Sequence, residues 1–162
     1  QLLLPSQLIR QACKKTGGGL AGIRQVASKF GTSMKCAAIR YVGEDLVPCS
    51  LAFRDWKGCL KWKWFSRKLW LGGIRSMRED LVVKSATDQV LSKTDSLNGG
   101  IIESATLAKH VFRLSDGQIS NEIFHEEAMA LGEYGVLTLL TAQCTDLPLI
   151  AEVLDRRYSG FE

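Results

Sequence analysis

Apolar residues recur at helical spacing over roughly the first forty positions and then switch to every second position. Pro5 favours a helix start, and Leu8, Ile9, Ala12 and Cys13 share one face of it. Gly17-Gly18-Gly19 ends that helix, because consecutive glycines form turns more readily than helices. Leu20, Ile23, Ala27 and Phe30 mark the apolar face of a second helix, which Gly31 breaks. Thr32 or Ser33 then caps a third helix through about Val42, with Met34, Ala37, Ala38 and Tyr41 on its apolar side. Gly43-Glu44-Asp45 is the expected boundary between residues 1–44 and 45–162.

From residue 47 the period is two. Val47, Cys49, Leu51 and Phe53 alternate with Ser50, Ala52 and Arg54, and Asp55-Trp56-Lys57-Gly58 is a hairpin turn. Leu60, Trp62 and Trp64 alternate with Lys61 and Lys63 in the return strand. Residues 66–84 show no clear period. Ser85 caps a short helix containing Val90 and Leu91, and Asn98-Gly99-Gly100 is a turn. Strands are expected over about 103–113, ending at Ser115-Asp116-Gly117, over about 119–130, ending near Gly132, and over Val136 to Ala142. The last is apolar on both faces, the pattern of a central strand covered on both sides. Asp146 is expected to cap a final helix carrying Leu149, Ile150, Val153 and Leu154. Pairing the two most apolar strands centrally gives a five-stranded antiparallel sheet in the order 2-1-5-4-3. The expected class is α+β. A three-helix, helix–turn–helix-like module (1–44) precedes a GAF/PAS-like domain (45–162) whose sheet is flanked by helices.

The composition is that of a globular protein, with 46% hydrophobic and 23% charged residues in 162. No apolar run approaches the roughly 18 residues a membrane span requires. Gln1-Leu2-Leu3-Leu4-Pro5 opens inside an apolar run without a basic region before it, which reads as the cut end of a longer polypeptide and not as a signal peptide. Cys13, Cys36, Cys49, Cys59 and Cys144 are odd in number and irregularly spaced, so reduced thiols in the cytoplasm are expected.

Charge is unevenly spread. Residues 1–78 carry fifteen Lys/Arg against Glu44, Asp45 and Asp55, whereas residues 79–162 carry six against fourteen acids. Either the basic half meets an anionic partner or the two halves neutralise each other in the fold. Arg54 to Arg78 holds eight Lys/Arg and all four tryptophans. Basic residues among aromatics can hold single-stranded nucleic acid. The alternation of Trp62 and Trp64 with Lys61 and Lys63 equally fits a strand with a core face and a solvated face.

No catalytic constellation is present. His125-Glu126-Glu127 begins like His-Glu-x-x-His, but position 129 is Met, and the segment alternates like a strand, whereas that motif needs a helix. His110 falls on a different expected strand. There is no Gly-x-Ser-x-Gly, and Gly17-Gly18-Gly19 lacks both a preceding strand and a following Gly-Lys-Ser/Thr. No catalytic residue, metal ligand or cofactor site is expected. His125 shares a strand face with Ile123, Glu127 and Met129, which makes it a pocket candidate or a residue at a solvated end. Cys49, Leu51 and Trp62 are the other pocket candidates, with Val47 beside them. Ser33, Lys35 and Arg40 would line the outer side of a recognition helix, with Thr32, Cys36 and Ile39, and Lys61 and Lys63 extend the set of nucleic-acid candidates. The alternative for residues 20–42 is a packing module that touches no DNA.

Taken in order, these segments resemble the C-terminal part of the ImmA/IrrE family of zinc-peptidase-like regulators. Leu2-Leu3-Leu4-Pro5 is similar to the end of the family's Phe-Ala-x-x-Leu-Leu-x-Pro signature. Val26-Ala27-Ser28-Lys29-Phe30-Gly31-Thr32-Ser33 and Ala37-Ala38-Ile39-Arg40 resemble its helix–turn–helix, with Thr32 replacing the usual β-branched apolar residue. Val47-Pro48-Cys49, Leu60-Lys61-Trp62 and Tyr134-Gly135-Val136-Leu137-Thr138-Leu139-Leu140 look like strands of the GAF-like domain found in longer members. The His-Glu-x-x-His portion is absent, so the family's peptidase activity is carried over to no residue here, and zinc would belong only to an upstream peptidase domain. The resemblance implies a non-catalytic regulatory fragment of a stress-response or transcription regulator that senses a small molecule or a protein. The alternatives are a DNA-binding regulator and a structural module that forms a homodimer.

Overall fold

A computed structural model describes residues 5–93, 99–114 and 121–143. The chain begins with α1 (Ser6–Thr16), α2 (Gly19–Phe30) and α3 (Met34–Gly43). Gly17, at φ 78°, ends α1 in the left-handed conformation that glycine adopts without a Cβ penalty. Gly31, at φ 60°, ends α2, and the Thr32 N–H closes the turn on the Ala27 carbonyl at 3.0 Å. Ser33 starts α3, its hydroxyl accepting the Cys36 N–H at 3.1 Å.

The sheet follows: β1 (Cys49–Arg54), β2 (Leu60–Phe65), β3 (Ile101–Leu107), β4 (Ile123–Ala130) and β5 (Val136–Ala142). All four pairings are antiparallel, and the spatial order is β2-β1-β5-β4-β3. β5 lies at the centre, with every residue but Thr141 buried, as its two-sided apolar pattern requires.

Strand alternation divides the core in two. On one face, Cys49, Leu51, Met129, Leu137 and Leu139 pack against Ile9, Leu20, Ile23, Val26, Ala37, Ala38 and Val42 of the three helices. The expected boundary after residue 44 is therefore crossed by a common core. On the other face, Ala52, Phe124, Leu140 and Ala142 meet Leu69, Ile74, Met77, Ala108 and Phe112. A third cluster, Ala86, Val90, Ala128, Ala130 and Val136, docks a short helix on that same side. The covering elements are α4 (Arg67–Leu71), α5 (Ala86–Ser92) and α6 (Ala108–Val111). Segment 66–84, which carries no sequence period, supplies α4 and the buried Ile74 and Met77.

The strand expected over 103–113 stops at Leu107. The Ala108 N–H bonds the Glu122 carbonyl at 2.8 Å, and the chain turns into α6. Phe112 is thereby buried edge-on to Phe124, with ring centroids 5.0 Å apart. Burying that ring outweighs continuing the ladder, so His110 sits in a helical turn and not on a strand. Within 119–130 the strand begins at Ile123. The expected final helix from Asp146 and the turn Ser115-Asp116-Gly117 lie outside the described residues. Among the described residues no helix is long and apolar enough to cross a membrane.

Candidate functional site

Phe53 and Trp62 are direct cross-strand partners of β1 and β2 on the helix-covered face. Their rings stack with centroids 5.7 Å apart and planes 17° from parallel. Lys35, in the first turn of α3, places its Nζ 4.9 Å from the centre of the Trp62 ring. Across from them the β4–β5 connection passes through a single 3-10 turn, Gly132–Tyr134. That turn is anchored by the Trp56 indole N–H, which donates to the Gly132 carbonyl at 3.2 Å. Between the two walls lies an open groove of about 610 Å³. Phe53, Trp62, Leu131, Tyr134 and Met34 supply its apolar lining, while Ser33 and Lys35 sit at its rim. Lys35 is the one charged residue among the lining residues.

The groove brings together Trp62, Ser33 and Lys35, which the sequence assigned to two different functions. The remaining pocket candidates lie elsewhere. Cys49 and Leu51 are buried in the core under the helices and are not among the residues lining this groove. Their strand pattern signalled burial, and both are buried. Burial also pushes the Cys49 thiol up to about 12, with Asp45 adding to the effect and Lys68 opposing it.

The nucleic-acid candidates do not form one surface. Arg40 donates to the Ser6 hydroxyl at 2.9 Å and pairs with Glu44 at 3.5 Å. Lys61 pairs with Asp55 at 3.0 Å. Lys63 is the partner of Ala52 in register, so strand alternation puts it on the opposite side of the sheet from α3.

Several polar residues that the sequence reading passed over are buried on the second face. Glu126 is 3% exposed, and its Oε1 accepts the Thr87 N–H at 3.1 Å and the Thr87 hydroxyl at 2.6 Å. Its Oε2 accepts the Ser104 hydroxyl at 3.2 Å, and Thr87 Oγ1 lies 2.6 Å from Thr138 Oγ1. Arg54 is 5% exposed and gives its guanidinium to the carbonyls of Gly58 at 2.8 Å, Glu79 at 2.6 Å and Arg78 at 3.2 Å. Glu126, Thr138 and Arg54 border a cavity of about 30 Å³, enough for one water and too small for a ligand. The available signal was Glu126-Glu127 inside an otherwise apolar strand. In a strand covered on both faces, consecutive carboxylates must each be buried.

His125 lies on the helix-covered face, two residues from Glu127 and diagonal to Glu103. Its Nε2 is 3.9 Å from Glu103 Oε2. Glu127 is 7% exposed and accepts the Leu20 N–H at the start of α2, at 3.2 Å and 3.4 Å from its two oxygens. Burial pushes its carboxyl above the usual range. The Leu20 N–H and His125 pull it back, and Glu103 adds to the rise.

No protein-family model matches this chain, and no curated protein matches it.

Proposed function

We propose that this chain is a non-catalytic regulatory module of the ImmA/IrrE-like kind, and that it senses a small planar aromatic acid in the groove between α3 and the β1–β2 hairpin. In this reading α1–α3 are the helix–turn–helix-like part and the sheet with its flanking helices is the GAF-like sensor. The groove carries the reading. Its volume of about 610 Å³ falls within the roughly 300–1,000 Å³ typical of small-molecule sites. The stacked Phe53–Trp62 pair offers a flat apolar wall, and Lys35 at the rim favours an anionic group. A ligand seated there would touch α3, the hairpin and the β4–β5 turn together. Its binding would thus be felt by the helical layer as well as the sheet.

Calorimetric titration with naphthalene-2-carboxylate and its neutral amide tests the reading. Saturable micromolar binding of the acid is expected, weaker for the amide and at least about tenfold weaker for Trp62→Ala. No saturable binding of either compound, or binding indifferent to Trp62→Ala, would overturn it. Retardation of duplex DNA at low salt that is lost in a Lys35→Ala/Arg40→Ala variant would favour a DNA-binding regulator instead.

A further inference from the structure

We infer that Glu103, His125 and Glu127 form a binding site for a divalent transition-metal ion, with zinc as the simplest occupant. The three side chains come from two adjacent strands and face the N-terminus of α2. One ligand atom from each lies within 4.8 Å of the other two. Ligand atoms bound to a common tetrahedral zinc ion at about 2.0–2.2 Å stand roughly 3.3–3.6 Å apart. Closing the set needs side-chain movement on the order of 1–1.5 Å, which a rotamer adjustment of the exposed Glu103 can supply.

Two independent features point to a cation at this place. Glu103 and Glu127 are direct cross-strand partners, so two carboxylates stand opposite each other on one face, a destabilising arrangement that a cation bound with His125 would relieve. Among the described residues no Lys or Arg forms an ion pair with either. Among the described residues Glu127 is also sparsely hydrogen-bonded. Both of its buried oxygens share the single Leu20 N–H, although a carboxylate offers about four acceptor sites. That N–H would hold a ligating carboxylate in place from behind, as outer partners of metal ligands do.

The donor set selects the metal. An imidazole with two carboxylates suits zinc, manganese, iron or cobalt, whereas calcium and magnesium prefer an all-oxygen set. Three protein ligands at the edge of the sheet leave at least one position for water. Sequence spacing hides this site because the residues sit at i and i+2 on β4 and across the ladder on β3, a pattern that matches none of the helical or paired-cysteine motifs.

The experiment is calorimetric titration of the full chain with zinc ion alone, under reducing conditions. Wild type is expected to take up one equivalent with micromolar or tighter affinity. Glu103→Gln changes only an exposed side chain, so it should fold normally, and it is expected to weaken binding at least about tenfold. His125→Ala should do the same, whereas His110→Ala and Cys36→Ser/Cys59→Ser/Cys144→Ser should not. No uptake by wild type would overturn the site. So would uptake that survives both Glu103→Gln and His125→Ala, or uptake that disappears with the thiols.

Discussion

Gly135 sits directly against the carbonyl of Arg54: a Cβ built at position 135 would overlap that carbonyl oxygen. Its φ of 139° is a second reason for glycine there. This approach draws the β4–β5 turn, with Tyr134, onto the end of β1, with Phe53, and both residues line the groove that this glycine helps shape. Gly135→Ala is expected to destabilise the fold by at least about 2 kcal/mol, since backbone strain and displacement of β1 act together. Gly132→Ala, three residues away at φ 55° with nothing within 4 Å of its Cβ, should cost only about 1 kcal/mol. Urea denaturation of the two variants measures the difference. Equal losses would mean that the contact with Arg54 is immaterial.

Glu44 ties the helices together. It accepts from Arg10 of α1 at 2.9 Å and pairs with Arg40 of α3. Burial by itself would raise its carboxyl. Hydrogen bonds from Arg10 and Ser6 and the charges of Arg40 and Arg10 outweigh this and hold it below the usual carboxylate value. A depressed folded-state value means stabilisation that is complete above the unfolded value of about 4.3 and lost as pH falls through the folded one. Glu44→Gln should therefore cost about 1.5 kcal/mol at neutral pH, and the gap to wild type should narrow as pH drops below about 4. Denaturation midpoints between pH 3 and 7 check this. A gap that does not change with pH would show that the charge of Glu44 is not what matters.

Much of the fold is legible in the sequence because local chemistry and packing agree there. Gly17, Gly31 and Ser33 end or start helices for reasons internal to the chain, and the two-sided apolar run Val136–Ala142 could only be central. The site was legible only in part. Trp62, Ser33 and Lys35 stood out, but nothing local shows that they converge, because α3 and β2 meet only when the helices dock on the sheet. Leu107 to Phe112 misled in the opposite direction: the strand was expected to run on to 113, yet Phe112 is captured by a core built from Met77 and Phe124. The two faces of β4 needed the register itself, since Glu103 meets Glu127 only across the ladder.

Glu126, almost wholly buried, gathers the Thr87 N–H and the hydroxyls of Thr87 and Ser104. Glu126→Ala leaves the buried Thr87 N–H unmet and takes the carboxylate acceptor from two hydroxyls, and should cost about 3 kcal/mol, whereas Thr138→Val removes one contact at the edge of the network and should cost about 1 kcal/mol. The double variant should lose less than the sum, because both changes act on Thr87. Thermal or urea unfolding of the two single variants and the double gives the coupling. Strict additivity would show that the network does not act as a unit.

The thiols separate by environment. Cys36 and Cys59 are exposed, whereas Cys13 and Cys49 are buried at 6% and 1%. Burial pushes the Cys13 thiol up, with Glu44 adding to it and its backbone hydrogen bond opposing, and the Cys49 thiol reaches about 12. Alkylation requires the thiolate and access to it, and burial denies access to Cys13 and Cys49 and disfavours their thiolates in the folded chain. Iodoacetamide at pH 8 followed by peptide mass spectrometry should therefore modify Cys36 and Cys59 at least about 100-fold faster than the buried pair, with all four equal in denaturant. Because Cys49 lies between α3 and the sheet, its labelling reports undocking of the helical layer. Early modification of Cys49 with Cys13 still protected would mean that α3 leaves the sheet while α1 and α2 stay packed. Simultaneous modification would mean that the three helices and the sheet open as one cooperative unit, as their common core requires.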